Sequence, residues 1–249
     1  MNTLFNLNYV VYSHTDYLSI CQIQSDYMSK YTPKILFINH NSLPNLTNIY
    51  EKYDRVIFYD DKYPYATRML NCMLQLNYDY ILLIHDIDIL LHINEQVCSN
   101  LIKIMMESNI DRIDLKHSSV STLDRIIPLN NNCFLVKTND PHSYPYNVNP
   151  SIWKRESFIE LLSNFKHKGY RDIEQIDVQT FSLKYNIYKI YSPEYIKCGY
   201  YDCVNFFKFL HISHAGKILF PDEKCRTIHN QSYMDVKSEL QEITSKYFK

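Results

Sequence analysis

Tyr80-Ile81-Leu82-Leu83-Ile84-His85-Asp86-Ile87-Asp88 is an apolar run that ends in two carboxylates one residue apart. A run of this length, bounded by polar residues, is expected to form a strand buried on both faces of a parallel sheet. Side chains alternate along an extended strand, so Asp86 and Asp88 are expected to project together from its carboxyl end. That end is where open α/β sheets bind ligands. Two carboxylates held side by side repel each other. A divalent cation relieves the repulsion, and oxygen donors suit Mg²⁺ or Mn²⁺. Such a cation can neutralise a diphosphate leaving group. His85 alternates to the other face, where a packed residue is expected rather than a ligand.

Outward from this run, the first half of the chain alternates. Tyr9–Tyr12, Ile35–Ile38 and Val56–Tyr59 read as strands, with helices near Tyr17–Lys30, Leu46–Lys52 and Tyr65–Leu76. Strands alternating with helices imply βαβ units, a parallel sheet and right-handed crossovers. After a helix at Glu95–Glu107 the pattern changes. Arg112–Leu115, Ser119–Ile127 and Cys133–Lys137 read as strands with short turns, open to antiparallel pairing. Asn149-Pro150 has the chemistry of a helix start, with Ile152, Trp153, Phe158, Leu161 and Leu162 in the helix that follows. Asp172 with Gln175 three residues on suggests a capping box and a second helix. Ile187–Tyr191 is a further strand, and Tyr233–Phe248 an amphipathic helix. The expected fold class is α/β: one domain over 1–249, a mostly parallel central sheet flanked by helices, and a mixed second half.

Bulk composition removes several function classes. A net charge of −1 leaves no basic footprint for nucleic acid. No apolar stretch approaches the ~20 residues of a membrane span. The start of the chain lacks a basic segment followed by a long apolar one, so no signal peptide is expected. A cytoplasmic protein is expected, with the sequons at Asn45 and Asn230 unmodified. The 7 cysteines are odd in number and never spaced C-x-x-C, which argues against a disulfide framework or a zinc knuckle. Gly169, Gly199 and Gly216 are the only 3 glycines and stand isolated, so neither G-x-G-x-x-G nor a P-loop can form. Phosphate must then be held by a metal, side chains or helix N-termini. The bias toward Tyr, Asn, Ile and Lys favours AT-rich codons, as in large DNA viruses and some protists; a viral chain would work in the host cytoplasm.

The order of elements resembles the GT-A class of nucleotide-sugar glycosyltransferases. In that class a βα nucleotide-binding half leads to an Asp-x-Asp triplet at the end of a central strand, and a mixed acceptor-binding half follows. Asp86-Ile87-Asp88 stands where the triplet would be. Tyr146-Asn147-Val148-Asn149-Pro150-Ser151-Ile152-Trp153-Lys154-Arg155-Glu156 is similar to the loop and helix after the triplet in small bacterial and viral members. The resemblance covers most of residues 8–220, with a nucleotide-sugar half over about 8–110 and an acceptor half over about 111–220. His85 departs from it, since many members carry a further acid or an apolar residue there. The motif D-x-D-x-T/V of dehalogenase-like phosphatases also sits at a strand end, but position 90 is Leu and the triplet lies in strand four rather than strand one.

The resemblance implies a transferase that moves a sugar from a UDP- or GDP-type donor to a glycan or protein hydroxyl, with Mn²⁺ or Mg²⁺ on Asp86 and Asp88. It implies that Asp86 also reaches the ribose, that His214, or second to it His211, adds a late metal ligand, and that Lys217 lies near the diphosphate; a strand with surface histidines is the plainer account of that stretch. The stretch Ser13-His14-Thr15-Asp16 would meet base and ribose, with His14 or Tyr17 stacking and Asp16 accepting a hydrogen bond. A turn and helix cap is the plainer account of those residues. Arg68 can pair with a phosphate or with Asp86, or point to solvent. Trp153 is a sugar platform or a core residue. Glu174 and Asp177, three apart on the expected helix, share a face. An inverting transferase needs a carboxylate to deprotonate the acceptor, and Asp177 is favoured over Glu174; a solvated acidic face is the alternative. Two other functions stay open: nucleotidyl transfer, against which the lack of a Gly-rich basic loop counts, and a non-catalytic nucleotide-sugar-binding module.

Overall fold

A computed structural model describes residues 7–39, 47–117, 126–130, 133–191, 202–203, 207–214, 217–218 and 241–247. The first half alternates as expected: β1 (Leu7–Tyr12), α1 (Leu18–Tyr27), β2 (Lys34–Asn39), α2 (Thr47–Tyr50), β3 (Arg55–Tyr59), α3 (Tyr65–Met73) and β4 (Tyr80–His85). Then follow β5 (Asp88–Ile93), α4 (Glu95–Glu107), β6 (Arg112–His117), β7 (Ile126–Asn130), β8 (Cys133–Lys137) and β9 (Ser151–Lys154). The remainder comprises α5 (Arg155–Asn164), α6 (Ile176–Ser182), β10 (Ile187–Tyr191), β11 (Asp202–Cys203), β12 (Phe207–His211), β13 (Ser213–His214) and β14 (Lys217–Ile218). Residues 241–247 are helical, inside the expected C-terminal helix; 233–240 lie outside the described residues, as does most of the expected Ser119–Ile127 strand.

The main sheet has nine strands in the order β3-β2-β1-β4-β9-β6-β10-β8-β7. β3, β2, β1 and β4 run parallel. β9 pairs antiparallel with both β4 and β6, and β10 returns parallel to β6 before antiparallel β8 and β7. The result is the expected α/β architecture, parallel in its first half and mixed in its second.

All six residues of β4 are buried, which is why its sequence is apolar without alternation. Leu82 and Ile84 meet Val11, Leu36 and the α4 residues Leu101, Ile102 and Met105 on one face. Ile81 and Leu83 meet Val10, Phe37, the α3 residues Met69 and Met73, and Phe158 and Leu161 of α5 on the other. Each such side chain contributes roughly 1.5–3 kcal/mol of transfer free energy. α4 opens on Asn94, whose side chain accepts from the Val97 N–H at 3.2 Å. Asn94→Ala removes that cap and is expected to cost about 1 kcal/mol in urea denaturation, with the fold unchanged.

Three local expectations fail, two because strand pairing takes precedence over local signals and one because a turn delays the helix. First, the strand does not carry through to Asp88. β4 stops at His85, the chain turns through Asp86-Ile87, and β5 joins a separate three-stranded sheet in the order β11-β12-β5. Same-face alternation therefore does not govern Asp86 and Asp88. Second, Asn149-Pro150 starts no helix. Residues Ser151–Lys154 fill the gap between β4 and β6 as a strand, and the helix begins at Arg155. Third, no helix starts at Asp172. Residues 170–174 form a turn, Gln175 Nε2 does bond Asp172 Oδ1 at 3.2 Å, and α6 begins at Ile176.

Candidate active site

The strand order reverses direction between β1 and β4: β2 and β3 follow β1 on one side, and β4 lies on the other. Open α/β sheets form their ligand crevice at such a switch point, beyond the carboxyl ends of the strands. Here one side chain links the two strand ends at that point. Asp86, just past β4, accepts from the Ser13 hydroxyl at 3.0 Å and from the His14 N–H at 3.3 Å, both just past β1. Burial pushes its carboxyl up to about 6, against the lowering effect of those two donors.

The neighbouring strand ends continue the polar rim. His14 Nδ1 accepts from the Asp16 N–H at 3.1 Å, which leaves Nε2 to donate to Asp61 Oδ2 at 3.2 Å. Asn39, the last residue of β2, donates to the same Asp61 oxygen at 2.8 Å and to the Thr15 hydroxyl at 3.0 Å. Its own Oδ1 accepts from the Thr15 N–H at 2.7 Å. Arg68 of α3 donates to the other Asp61 oxygen at 2.9 Å, with its guanidinium 5.2 Å from the centre of the Tyr59 ring. Arg68 therefore pairs with Asp61 rather than with Asp86. Its Nε is buried with no hydrogen-bond partner among the described residues, an unmet donor at the edge of the crevice. Tyr17 stands close enough to Asp86 and Asp16 that, after burial, their charges raise its phenol above the ordinary value. The side chain of Asp16 is 78% exposed and faces His14. His14, Asp16, Tyr17, Arg68 and Asp86 thus gather in one place, around an Asn39–Asp61 pair that the sequence reading did not single out.

Asp88 is placed differently. It is fully buried, and its Oδ1 meets His211 Nδ1 at 2.9 Å, across the β5–β12 ladder. Asp86 and Asp88 are held by different partners rather than side by side. A carboxylate with an imidazole is donor chemistry suited to Mn²⁺. Among the described residues, however, no group of three His, Cys, Asp or Glu side chains could hold a metal ion. His214 and Lys217 pair by backbone in the β13–β14 ribbon, and their side chains lie outside the described residues. His85 packs as expected, its Nε2 2.7 Å from the Tyr65 hydroxyl.

On the acceptor side the two carboxylates separate. Glu174 sits in the turn before α6 and accepts from the Val148 N–H at 2.7 Å. Gln179 ties the same segments, exchanging hydrogen bonds with the Tyr146 N–H and carbonyl at 2.9 and 2.8 Å. Asp177 turns outward: its side chain is half exposed and pairs with Lys168 at 2.8 Å, which holds its carboxyl below the usual range. The depth in a helix that favoured Asp177 is not found: it lies in the first turn of α6, while Glu174 is tied to the loop before β9. Asp177→Ala takes the acid partner from Lys168, whose side chain is only 11% exposed but keeps Gln175 Oε1 at 3.0 Å, and is expected to cost about 1 kcal/mol or less, read by urea denaturation.

Trp153 is fully buried and is no platform for a ligand. It stacks on Phe158 at 4.9 Å, under the Arg112 guanidinium at 5.1 Å. Arg112, also fully buried, donates to the carbonyls of Pro145 and Asn147 and to Asn147 Oδ1, and so fixes the loop before β9.

No protein-family model and no curated sequence matches the chain. Among solved structures, a fragment of S. aureus TarS in complex with UDP-GlcNAc is 12% identical, covering 76% of this chain and 58% of its own, with a TM-score of 0.46. A cytidylyltransferase from Leptospira borgpetersenii is 10% identical, covering 98% of this chain and 97% of its own, with a TM-score of 0.49. The 4-diphosphocytidyl-2C-methyl-D-erythritol synthase of Anaerococcus prevotii is 11% identical over 91% of this chain and 95% of its own, with a TM-score of 0.46. The chain spans about three fifths of the length of the TarS fragments. Likenesses this distant say nothing of what the chain binds. Among the described residues no helix is long and apolar enough to cross a membrane.

Proposed function

We propose that the chain is a glycosyltransferase that takes a nucleoside-diphosphate sugar of the UDP or GDP type and passes the sugar to a hydroxyl of a glycan or protein. What carries this is Asp86, a half-buried carboxyl at the sheet's switch point, bonded across the crevice to the end of β1. Its raised proton affinity means that burial has been imposed on it, as is common where a group serves a ligand. Asp86 accepts from a ribose hydroxyl. His14 and Tyr17 flank the base, and the unmet Nε of Arg68 supplies a donor to base or phosphate. Glu174, held in place by Val148 N–H, is the base that takes the acceptor proton as the hydroxyl attacks the anomeric carbon. A divalent ion, Mn²⁺ or Mg²⁺, would need a third ligand beside Asp88 and His211, which His214 would supply, and would neutralise the departing diphosphate together with Lys217.

Nucleotidyl transfer uses similar sheets, but the turn after β1, Ser13–Tyr17, has neither glycines nor cations to wrap a triphosphate. The test is a thermal-shift panel of UDP-, GDP- and CDP-sugars and of nucleoside triphosphates, with and without Mn²⁺. A ligand of the folded state raises its melting temperature by mass action. A UDP- or GDP-sugar is expected to raise it, with the Mn²⁺-dependent part abolished in Asp88→Asn. A response to triphosphates alone would favour nucleotidyl transfer. Binding without hydrolysis or transfer of the sugar would leave a non-catalytic module, and silence across the panel would end the nucleotide assignment.

A further inference from the structure

Tyr170 belongs to no expected motif and stands between the two halves of the site. Its ring meets Tyr65 edge-on at 5.3 Å and His85 at 5.9 Å, beneath the end of β4. It lies in the turn that leads to Glu174. The residue is 39% exposed, with Asp86 and Glu174 within electrostatic reach. Among the described residues no hydrogen bond to its hydroxyl is made, although Asp86, Asp88, Glu174 and Tyr146 all lie within electrostatic reach of it. Burial and those three carboxylates raise the phenol well above its ordinary range, so it stays neutral and keeps its proton to donate.

We propose that Tyr170 contacts the transferred sugar of the nucleotide-sugar donor, its hydroxyl bonding a sugar hydroxyl and its open ring edge lying against the pyranose. This deepens the proposed function and rests on it. The position suits the part of the donor next beyond the ribose on Asp86. Base and ribose lie toward His14, Asn39 and Asp61, while Tyr170 bridges Asp86 to the Glu174 side where the acceptor attacks. A neutral polyhydroxylated ring suits a phenol among carboxylates, because the phenol donates to a sugar hydroxyl and the carboxylates repel acidic sugars.

The experiment compares free nucleotide with intact donor. Titrations of UDP, GDP, UDP-glucose and GDP-mannose, all with Mn²⁺, are run on wild type, Tyr170→Phe and Tyr170→Ala. Tyr170→Phe keeps the ring contacts with Tyr65 and His85, so the fold is retained. It is expected to lower affinity for the intact donor about tenfold, the worth of one hydrogen bond to a buried site, and to leave the free nucleotide within about twofold. Tyr170→Ala is expected to widen the same gap. Equal losses for nucleotide and donor, or no loss for either, would overturn the assignment to the sugar. If wild type binds nucleotides but not their sugars any better, the sugar contact fails while the nucleotide site stands. If wild type binds none of the four, the proposed function itself falls, and this inference with it.

Discussion

Trp153→Ala is expected to unfold the protein about 3–5 kcal/mol more easily, the largest stability loss of any substitution considered. The side chain is fully buried in the strand that bridges the parallel and mixed halves of the sheet. Its removal empties the space between Phe158, Tyr146 and the Arg112 guanidinium. Those neighbours cannot close over it cheaply, because Arg112 is anchored to two carbonyls of the loop before β9. Urea denaturation measures the loss. Trp153→Phe should recover most of it. At a temperature where Trp153→Ala is still folded, its nucleotide affinity should match wild type; a selective loss of sugar binding would restore Trp153 to the site.

Asp86→Asn should separate function from stability. The amide can still accept from the Ser13 hydroxyl and the His14 N–H, so the local hydrogen bonds survive. The charge does not. Asp86 has a folded pKa of about 6, above its ordinary 3.8, so the folded state binds the proton more readily than the unfolded chain. The sign follows. Its contribution to stability is fully present below about pH 4 and is lost as pH rises through 6. At pH 7.5 the ionised carboxylate is a net cost, on the order of 1 kcal/mol after allowing for its partial exposure. Asp86→Asn should therefore melt no lower than wild type at pH 7.5. It should also flatten the decline in stability between pH 4 and 6. Nucleotide affinity should nevertheless fall at least tenfold, because a charged acceptor for the ribose is gone. A variant that is both less stable at pH 7.5 and unimpaired in binding would make Asp86 a structural residue.

The parallel half of the fold was legible because burial leaves a plain trace. β4 is apolar throughout since both faces are covered, and Glu95–Glu107 carries its cap and its periodicity in sequence. The mixed half was not, because β9 exists only through its neighbours. Ser151–Lys154 has a capping signal ahead of it and an apolar pattern within it that suits a helix equally well. The same blindness displaced Trp153 and Glu174: a strand assignment puts the indole inside, and a later helix start moves Glu174 into a turn.

The candidate site was half legible. His14, Asp16, Tyr17, Arg68 and Asp86 converge, since each lies at a strand end or helix start that alternation could locate. Asn39 and Asp61 carried the same signal, being the polar residues that close the second strand and follow the third. Tyr170 gave none, because its place comes from a turn with no periodicity. Asp86 and Asp88 misled for a geometric reason. Two residues in one extended strand share a face, but a turn between two sheets sends one to the crevice and the other to a buried pair with His211.

The most direct measurement is calorimetric titration of UDP and GDP into wild type and Asp86→Asn at pH 7.5, with stability recorded alongside. The account predicts saturable binding of at least one nucleotide to wild type and a loss of tenfold or more in a variant that melts no lower. Equal binding by the two proteins would contradict it, as would wild-type protein that takes up neither nucleotide.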